Sequence, residues 1–135
     1  MQKYLYFRTD ADEDDDAAST DSAVFLLSNF MGMHPTADAA ITLFFKPQIA
    51  QPHDAGANAF TNNDSVVLNI VEGTAFEVMR DLATLFAGQS GAHQVPFITV
   101  ADDMTTLLDD TTRSAVYAIS GISSCGAIAI TAAHS

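Results

Sequence analysis

Short apolar runs separated by polar, turn-forming segments dominate the chain, and they predict β-strands. The runs are rich in aromatic and β-branched residues, which favour strands. They fall at residues 3–9, 23–27, 40–45, 65–71, 95–101, 115–119 and 125–131. Residues 28–35 extend the second run irregularly and end at Pro35. Residues 115–131 are typical of a hairpin that turns at Ser120 and Gly121.

The segment at about 74–87 has a different period, which predicts an α-helix. Thr74 followed by Glu77 fits a capping box, and Gly88 stands where a helix-ending glycine is expected. Apolar residues recur at helical spacing and form one stripe: Phe76, Met79, Leu82, Ala83, Leu85 and Phe86. We expect this stripe to pack on a sheet.

Together these elements predict an α+β fold. A mostly antiparallel β-sheet of five to seven strands would carry the main helix (about 74–87) on one face. A chain of 135 residues is the size of a single domain, 1–135, and can fold without a disulfide or a metal. Apolar residues outside the helix are numerous enough that a neighbouring chain is expected to cover the second face.

The charge balance narrows the classes of partner. The chain has 5 Lys and Arg against 17 Asp and Glu, which gives a net charge of −12. Nucleic-acid binding rests on clustered Lys and Arg, and those present are scattered along the sequence. The same repulsion disfavours an anionic membrane surface. We therefore expect no nucleic acid and no membrane. The first residues lack a signal-peptide pattern, which predicts a protein kept in a reducing cytoplasm.

The Asp-rich segment after the first strand is the candidate for a divalent ion. Asp10, Asp12, Asp14, Asp16 and Asp21 fall at positions 1, 3, 5, 7 and 12 of a calcium-loop register. However, the glycine required at position 6 is Asp15, position 12 is Asp and not Glu, and predicted strands flank the segment in place of helices. A solvated acidic loop is the favoured interpretation, and no cofactor is predicted. The polar stretch 48–64 is expected to be a second, long exposed loop.

No pattern in the sequence indicates catalysis, so the protein is not expected to be an enzyme. The four histidines show no H-E-x-x-H spacing, and neither a phosphate-binding loop nor a nucleophile elbow is present. The one cysteine, Cys125, is interpreted as a small buried hydrophobe. The aromatic residues of the first strands are interpreted as core, with a ligand pocket as the alternative: Tyr4, Tyr6, Phe7, Phe25, Phe30, Phe44 and Phe45.

The last strand is the candidate protein contact. Cys125, Gly126, Ala127 and Ala129 are small, so a second backbone could approach closely there. This predicts a homo-oligomer that associates at or near the strand. The alternative is that the strand lies beneath the helix in the protomer's own core.

Four segments resemble a known group of proteins. They are 3–9 followed by the Asp-rich loop, 28–33, 76–79 at the start of the helix, and 125–128. Together they are similar to small acidic proteins encoded by marine tailed phages, particularly cyanophages. The resemblance implies a non-enzymatic virion structural protein and carries over no catalytic residues.

An outer capsid decoration or cement protein is the role within a virion that we expect. Its partners would be other virion proteins, above all the major capsid protein, and it would join the virion in the host cytoplasm. The alternative is a small acidic regulatory or inhibitory binding protein of the nucleic-acid mimic type, made during infection.

Overall fold

The computed structural model describes residues 3–14, 18, 21–47, 63–88 and 97–130. Within these ranges lie eight strands, the helix α1 (Ala75–Ala87) and a short 3-10 turn (Leu27–Asn29). The strands are β1 (Tyr4–Arg8), β2 (Ser22–Leu26), β3 (Phe30–Ala37), β4 (Ala40–Phe45), β5 (Asp64–Ile70), β6 (Phe97–Asp102), β7 (Val116–Tyr117) and β8 (Ile122–Ala129). The predicted α+β class is confirmed. Most of the predicted loop 48–64 lies outside the described residues.

The strands form two four-stranded sheets, whereas the sequence predicted one sheet of five to seven strands. The first sheet has the order β2-β1-β6-β7 and the second has the order β3-β4-β5-β8. Neighbouring strands are antiparallel except for β1 and β6, which run parallel. The sequence located most strands because apolar runs are a local signal, but strand partners are chosen over long range.

The predicted hairpin at 115–131 is wrong, because its two arms belong to different sheets. Val116 and Tyr117 pair with Asp102 and Ala101 of β6 in the first sheet. The following strand, β8, pairs with β5 in the second sheet. The turn that the sequence indicated at Gly121 therefore carries the chain from one sheet to the other.

The segment 28–35 does not extend β2, because it contains the end of a 3-10 turn and the start of a separate strand. After the 3-10 turn the chain enters β3, which continues through Pro35 to Ala37. Proline has no N–H to donate, and it is tolerated here because β3 is an edge strand of its sheet. The register of β3 also shifts between Phe30 and Gly32 and between Pro35 and Ala37. Such irregularity makes an edge strand a poorer template for unwanted pairing.

One apolar core joins the two sheets and the helix. Strand alternation directs Leu5 and Phe7 of the first sheet towards Ile41, Leu43 and Phe45 of the second, and all five side chains are fully buried. The ring of Phe45 stacks on Phe25 at a centroid distance of 4.3 Å. It also meets Phe7 edge-on at 6.1 Å. The inner faces of both sheets are thus occupied by each other and by α1.

The helix spans nearly the predicted residues, and most of the predicted stripe is correct: Leu82 and Phe86 are buried, and Met79 and Leu85 pack partly buried against the core. Val78, Leu82 and Phe86 are its buried side chains, and Phe86 packs on Phe30 with ring centroids 5.3 Å apart. The predicted Phe76 and Ala83 are exposed instead. Each residue advances a helix by about 100°, so Phe76 lies about 200° around the axis from Val78.

The predicted ends of the helix are correct in position, but the capping box does not form. The Thr74 hydroxyl makes no capping bond and donates to the Val71 carbonyl oxygen at 2.6 Å. The Thr74 N–H also donates to that oxygen, so both groups serve the preceding turn. At the other end Gly88 adopts φ 66°, a left-handed conformation that glycine enters without strain.

Replacing Phe86 by Ala should lower the free energy of unfolding by about 3–5 kcal/mol, since it removes a buried ring from the contact with Phe30. Phe76→Ala is the matched control on the same helix, because Phe76 is 68% exposed. Its effect should stay within about 1 kcal/mol. Chemical denaturation followed by circular dichroism measures both values. Equal losses in the two variants would contradict the assigned helix face.

Candidate interaction surface

Residues 10–14, which we call the acidic loop, fold back over the end of β1. Its anchor is Arg8, whose side chain is 1% exposed. The Arg8 guanidinium donates through Nε to the Asp10 carbonyl oxygen at 3.0 Å and through Nη2 to the Asp12 carbonyl oxygen at 2.5 Å. A buried charge is stable only when it is hydrogen-bonded, and this loop supplies the acceptors.

The candidate ion ligands Asp10, Asp12, Asp14 and Asp21, which lie among the described residues, do not form a metal site there. The Asp10 carboxylate accepts the Asp12 N–H at 3.0 Å, and the Asp21 carboxylate accepts the Ala18 N–H at 3.2 Å. Asp12 and Asp14 are exposed, and Asp16 lies outside the described residues. Among the described residues, no three His, Cys, Asp or Glu side chains lie close enough to hold a metal ion.

Two adjacent aspartates at the end of β6 tie the loops to both sheets. Asp102 is buried and accepts hydrogen bonds from Arg113 Nη2 at 2.5 Å and from the Met104 N–H at 3.0 Å. Asp103 accepts from the Tyr117 hydroxyl at 2.5 Å and from the Cys125 N–H at 3.0 Å. Asp103 therefore links β7 of the first sheet to β8 of the second. These roles were not predicted from the sequence, although two aspartates directly after the predicted strand 95–101 were a visible signal.

The four predicted contact residues of β8 differ in what they offer a partner. Cys125 is buried, Gly126 is half-buried, and Ala127 and Ala129 are exposed. A Cβ at Gly126 would lie 3.0 Å from the Val67 carbonyl oxygen, so glycine permits the close approach of β5. The exposed alanines lie on the outer side of the second sheet, where Ala129 pairs with Ser65.

Burial makes the Cys125 thiol a poor nucleophile. Its desolvation, followed by the nearby Asp103 carboxylate, raises the pKa of Cys125 to about 12. The same two causes, burial and then the Asp103 carboxylate, raise the pKa of Tyr117. Both groups therefore remain protonated and neutral at physiological pH. Their role is structural, in agreement with the interpretation of Cys125 as a small buried hydrophobe.

The outer side of the first sheet carries an exposed apolar surface, which we call the aromatic face. Its five residues are Tyr4, Tyr6, Val24, Leu26 and Phe97. The register of β1 puts them on one side, since Tyr4 pairs with both Leu26 and Phe97, and Tyr6 pairs with Val24. Phe97 is 50% exposed, Tyr4 40% and Val24 39%.

Contacts within the aromatic face give it a defined shape. The rings of Tyr6 and Phe97 lie 5.5 Å apart. A depression of about 260 Å³ is lined by Tyr4, Val24, Leu26 and Asn29. The sequence pattern predicted that Tyr4 and Tyr6 belong to the core with Phe7. Strand alternation instead places the two tyrosines outside and Phe7 inside.

A larger depression, of about 430 Å³, lies beside the edge of the second sheet. Met31, Gly32, Met33, His34, Phe44 and Asn63 line it, and the His34 and Phe44 rings stack at 5.1 Å. His34 Nδ1 lies 3.1 Å from the carbonyl oxygen of Pro35. His53, His93 and His134 lie outside the described residues.

Compared with known proteins, the chain matches no family model, no curated protein and no solved structure. In the part of the chain that the structure describes, no helix is long and apolar enough to cross a membrane.

Thiol labelling tests the environment of Cys125. At pH 8 the native protein should react at least roughly 100-fold more slowly than the protein in denaturant, because only the thiolate reacts and its fraction falls as the pKa rises. The double variant Ser123→Cys/Cys125→Ala places a thiol at an exposed position of the same strand and should react fast. Fast labelling of native Cys125 would contradict its burial.

The raised pKa of Cys125 also predicts how the stability of the protein changes with pH. The pKa of Cys125 is higher in the folded protein than in the unfolded chain. The stabilisation that comes from burying the neutral thiol is therefore complete below about pH 9, and it is lost as the pH rises towards 12.

Proposed function

We propose that this protein is a non-enzymatic structural component of a phage virion, which works through repeated protein–protein contacts as an outer capsid decoration or cement protein. It would bind other virion proteins, in particular the major capsid protein, and would join the particle in the host cytoplasm. The observation that carries this proposal is the aromatic face on the outer side of the first sheet.

Exposed aromatic side chains in one patch favour a binding role. Soluble monomers rarely expose large contiguous apolar patches, and aromatic residues are enriched at the centres of protein interfaces. Tyr4 and Phe97 stand on adjacent strands and are both at least 40% exposed. Backbone pairing holds these side chains on a rigid sheet, so less conformational entropy is lost when a partner covers them.

The charge of the protein favours the outside of a particle over its DNA-filled interior. A net charge of −12 repels phosphate backbones. The motifs that resemble small acidic proteins of marine tailed phages support a structural role in such a particle. For a nucleic-acid mimic, carboxylates would have to be displayed along a surface. Several of those described here instead accept hydrogen bonds from the protein itself, including Asp10, Asp102 and Asp103.

Quantitative mass spectrometry of purified particles tests the proposed role. We expect many copies per particle, in a fixed ratio to the major capsid protein, because a decoration protein repeats with the lattice. DNA-free capsids should carry the same ratio, which separates an outer position from an internal one. Absence from particles would refute the proposal and favour the acidic regulatory or inhibitory protein.

Self-association through β8 is the second part of this proposal and has its own test. Ala129→Arg places a long charged side chain on an exposed position of the outer sheet face. We expect the molar mass from light scattering to fall to that of a monomer, with an unchanged circular dichroism spectrum. Ala83→Arg, at an exposed position of α1, should keep the oligomer. An unchanged mass in Ala129→Arg would rule out this contact.

A further inference from the structure

We propose that the aromatic face and the acidic loop form one composite docking surface, whose occupant is a partner protein surface that combines apolar and basic side chains. A second copy of this chain is not the occupant. This inference rests on the proposed function, because it specifies the chemistry of the partner that the aromatic face would bind.

The two features are adjacent because β1 carries both. Tyr4, Tyr6 and Arg8 alternate onto the outer side of the first sheet. Tyr6 and Arg8 are two residues apart, which is about 7 Å along a strand. Asp10 and Asp12 cover Arg8 by accepting its hydrogen bonds, whereas Tyr4 remains 40% exposed and Tyr6 is half-buried. The aromatic face and the acidic loop are therefore neighbours along β1, with the boundary between Tyr6 and Arg8.

Only some carboxylates of the acidic loop accept hydrogen bonds that stabilise its conformation. The Asp10 side chain accepts the Asp12 N–H, and the Glu13 side chain accepts the Leu108 N–H at 2.9 Å. Backbone bonds from Thr105 and Thr106 to the Ala11 carbonyl oxygen fix the loop against the 103–113 segment. Asp12 and Asp14 are exposed on this fixed backbone. They offer negative charge at a defined position beside the aromatic face.

A second copy does not complement this surface in charge. The whole chain has five cationic side chains against 17 acidic ones, and three of the five are arginines that already have partners in their own molecule. Arg8 is buried beneath the loop, Arg113 bonds to Asp102, and Arg80 bonds to Asp81 at 3.2 Å. A partner that carries Lys or Arg beside an apolar ridge can contact both the acidic loop and the aromatic face.

A defined probe tests this pairing without the natural partner. The probe is an amphipathic helical peptide of about five turns built from Leu and Lys. Matched peptides replace every Lys by Glu or every Leu by Ser. We expect calorimetric titration to show binding of the Leu/Lys peptide, with affinity at least about 10-fold higher than for either matched peptide. Equal binding of the Lys/Ser peptide would overturn the apolar half of the proposal.

Variants with matched controls test whether the peptide binds to the composite surface. Phe97→Ser should weaken binding about 10-fold, and Phe76→Ser, which removes an exposed ring elsewhere, should leave it unchanged. Asp12→Asn/Asp14→Asn should weaken binding several-fold at low salt. Glu72→Gln/Glu77→Gln removes the same charge at exposed sites away from the loop and should have little effect. Equal effects within either pair would overturn the proposal.

Sedimentation separates this inference from the proposed function. If a second copy occupies the aromatic face, Phe97→Ser will abolish a concentration-dependent dimer that Phe76→Ser retains, and the inference fails. If the protein is abundant in particles while peptide binding ignores the composite surface, the inference fails and the virion role stands. Absence from particles together with surface-dependent peptide binding would refute the virion role alone.

Discussion

Two sheets that share no strand are held together here by the side chains between them, and three phenylalanine rings form the centre of that contact. Phe7 and Phe25 come from the first sheet and Phe45 from the second, with centroid distances between 4.3 and 6.1 Å. Close packing of this kind fixes relative position, because an interior at crystal-like density leaves little room to slide. With the inner faces used in this way, the outer faces are what the protein presents to others.

The acidic character of the chain has two separate consequences. Some carboxylates are structural: Asp103 connects the two sheets through Tyr117 and Cys125, and Asp102 holds Arg113. Others, such as Asp12 and Asp14, remain at the surface. A net charge of −12 therefore overstates the charge available for recognition, and the acidic loop beside the aromatic face is where it is concentrated.

The two outer faces differ in chemistry, which suits a protein that makes more than one kind of contact. The first sheet offers aromatic rings next to acidic side chains. The second offers small and polar side chains around β8, where the Asn69 amide donates to the Ser124 hydroxyl at 2.8 Å and Ala129 is exposed. Further across this face, the Phe44 ring stacks on His34. In the proposed decoration protein, the second face would join identical subunits and the first would meet a different protein.

The sequence alone was enough to locate most strands and the helix, because apolar runs, helical spacing and Gly88 act over a few residues. It did not determine which strands pair. The predicted final hairpin is split between two sheets, and Pro35 lies within an edge strand. Nor could it separate Phe86 from Phe76, or Phe7 from Tyr6, since each pair is similar in local pattern. The tertiary structure decided those points, and with them the candidate surface. A side chain becomes core or surface only when distant segments pack against one of its faces.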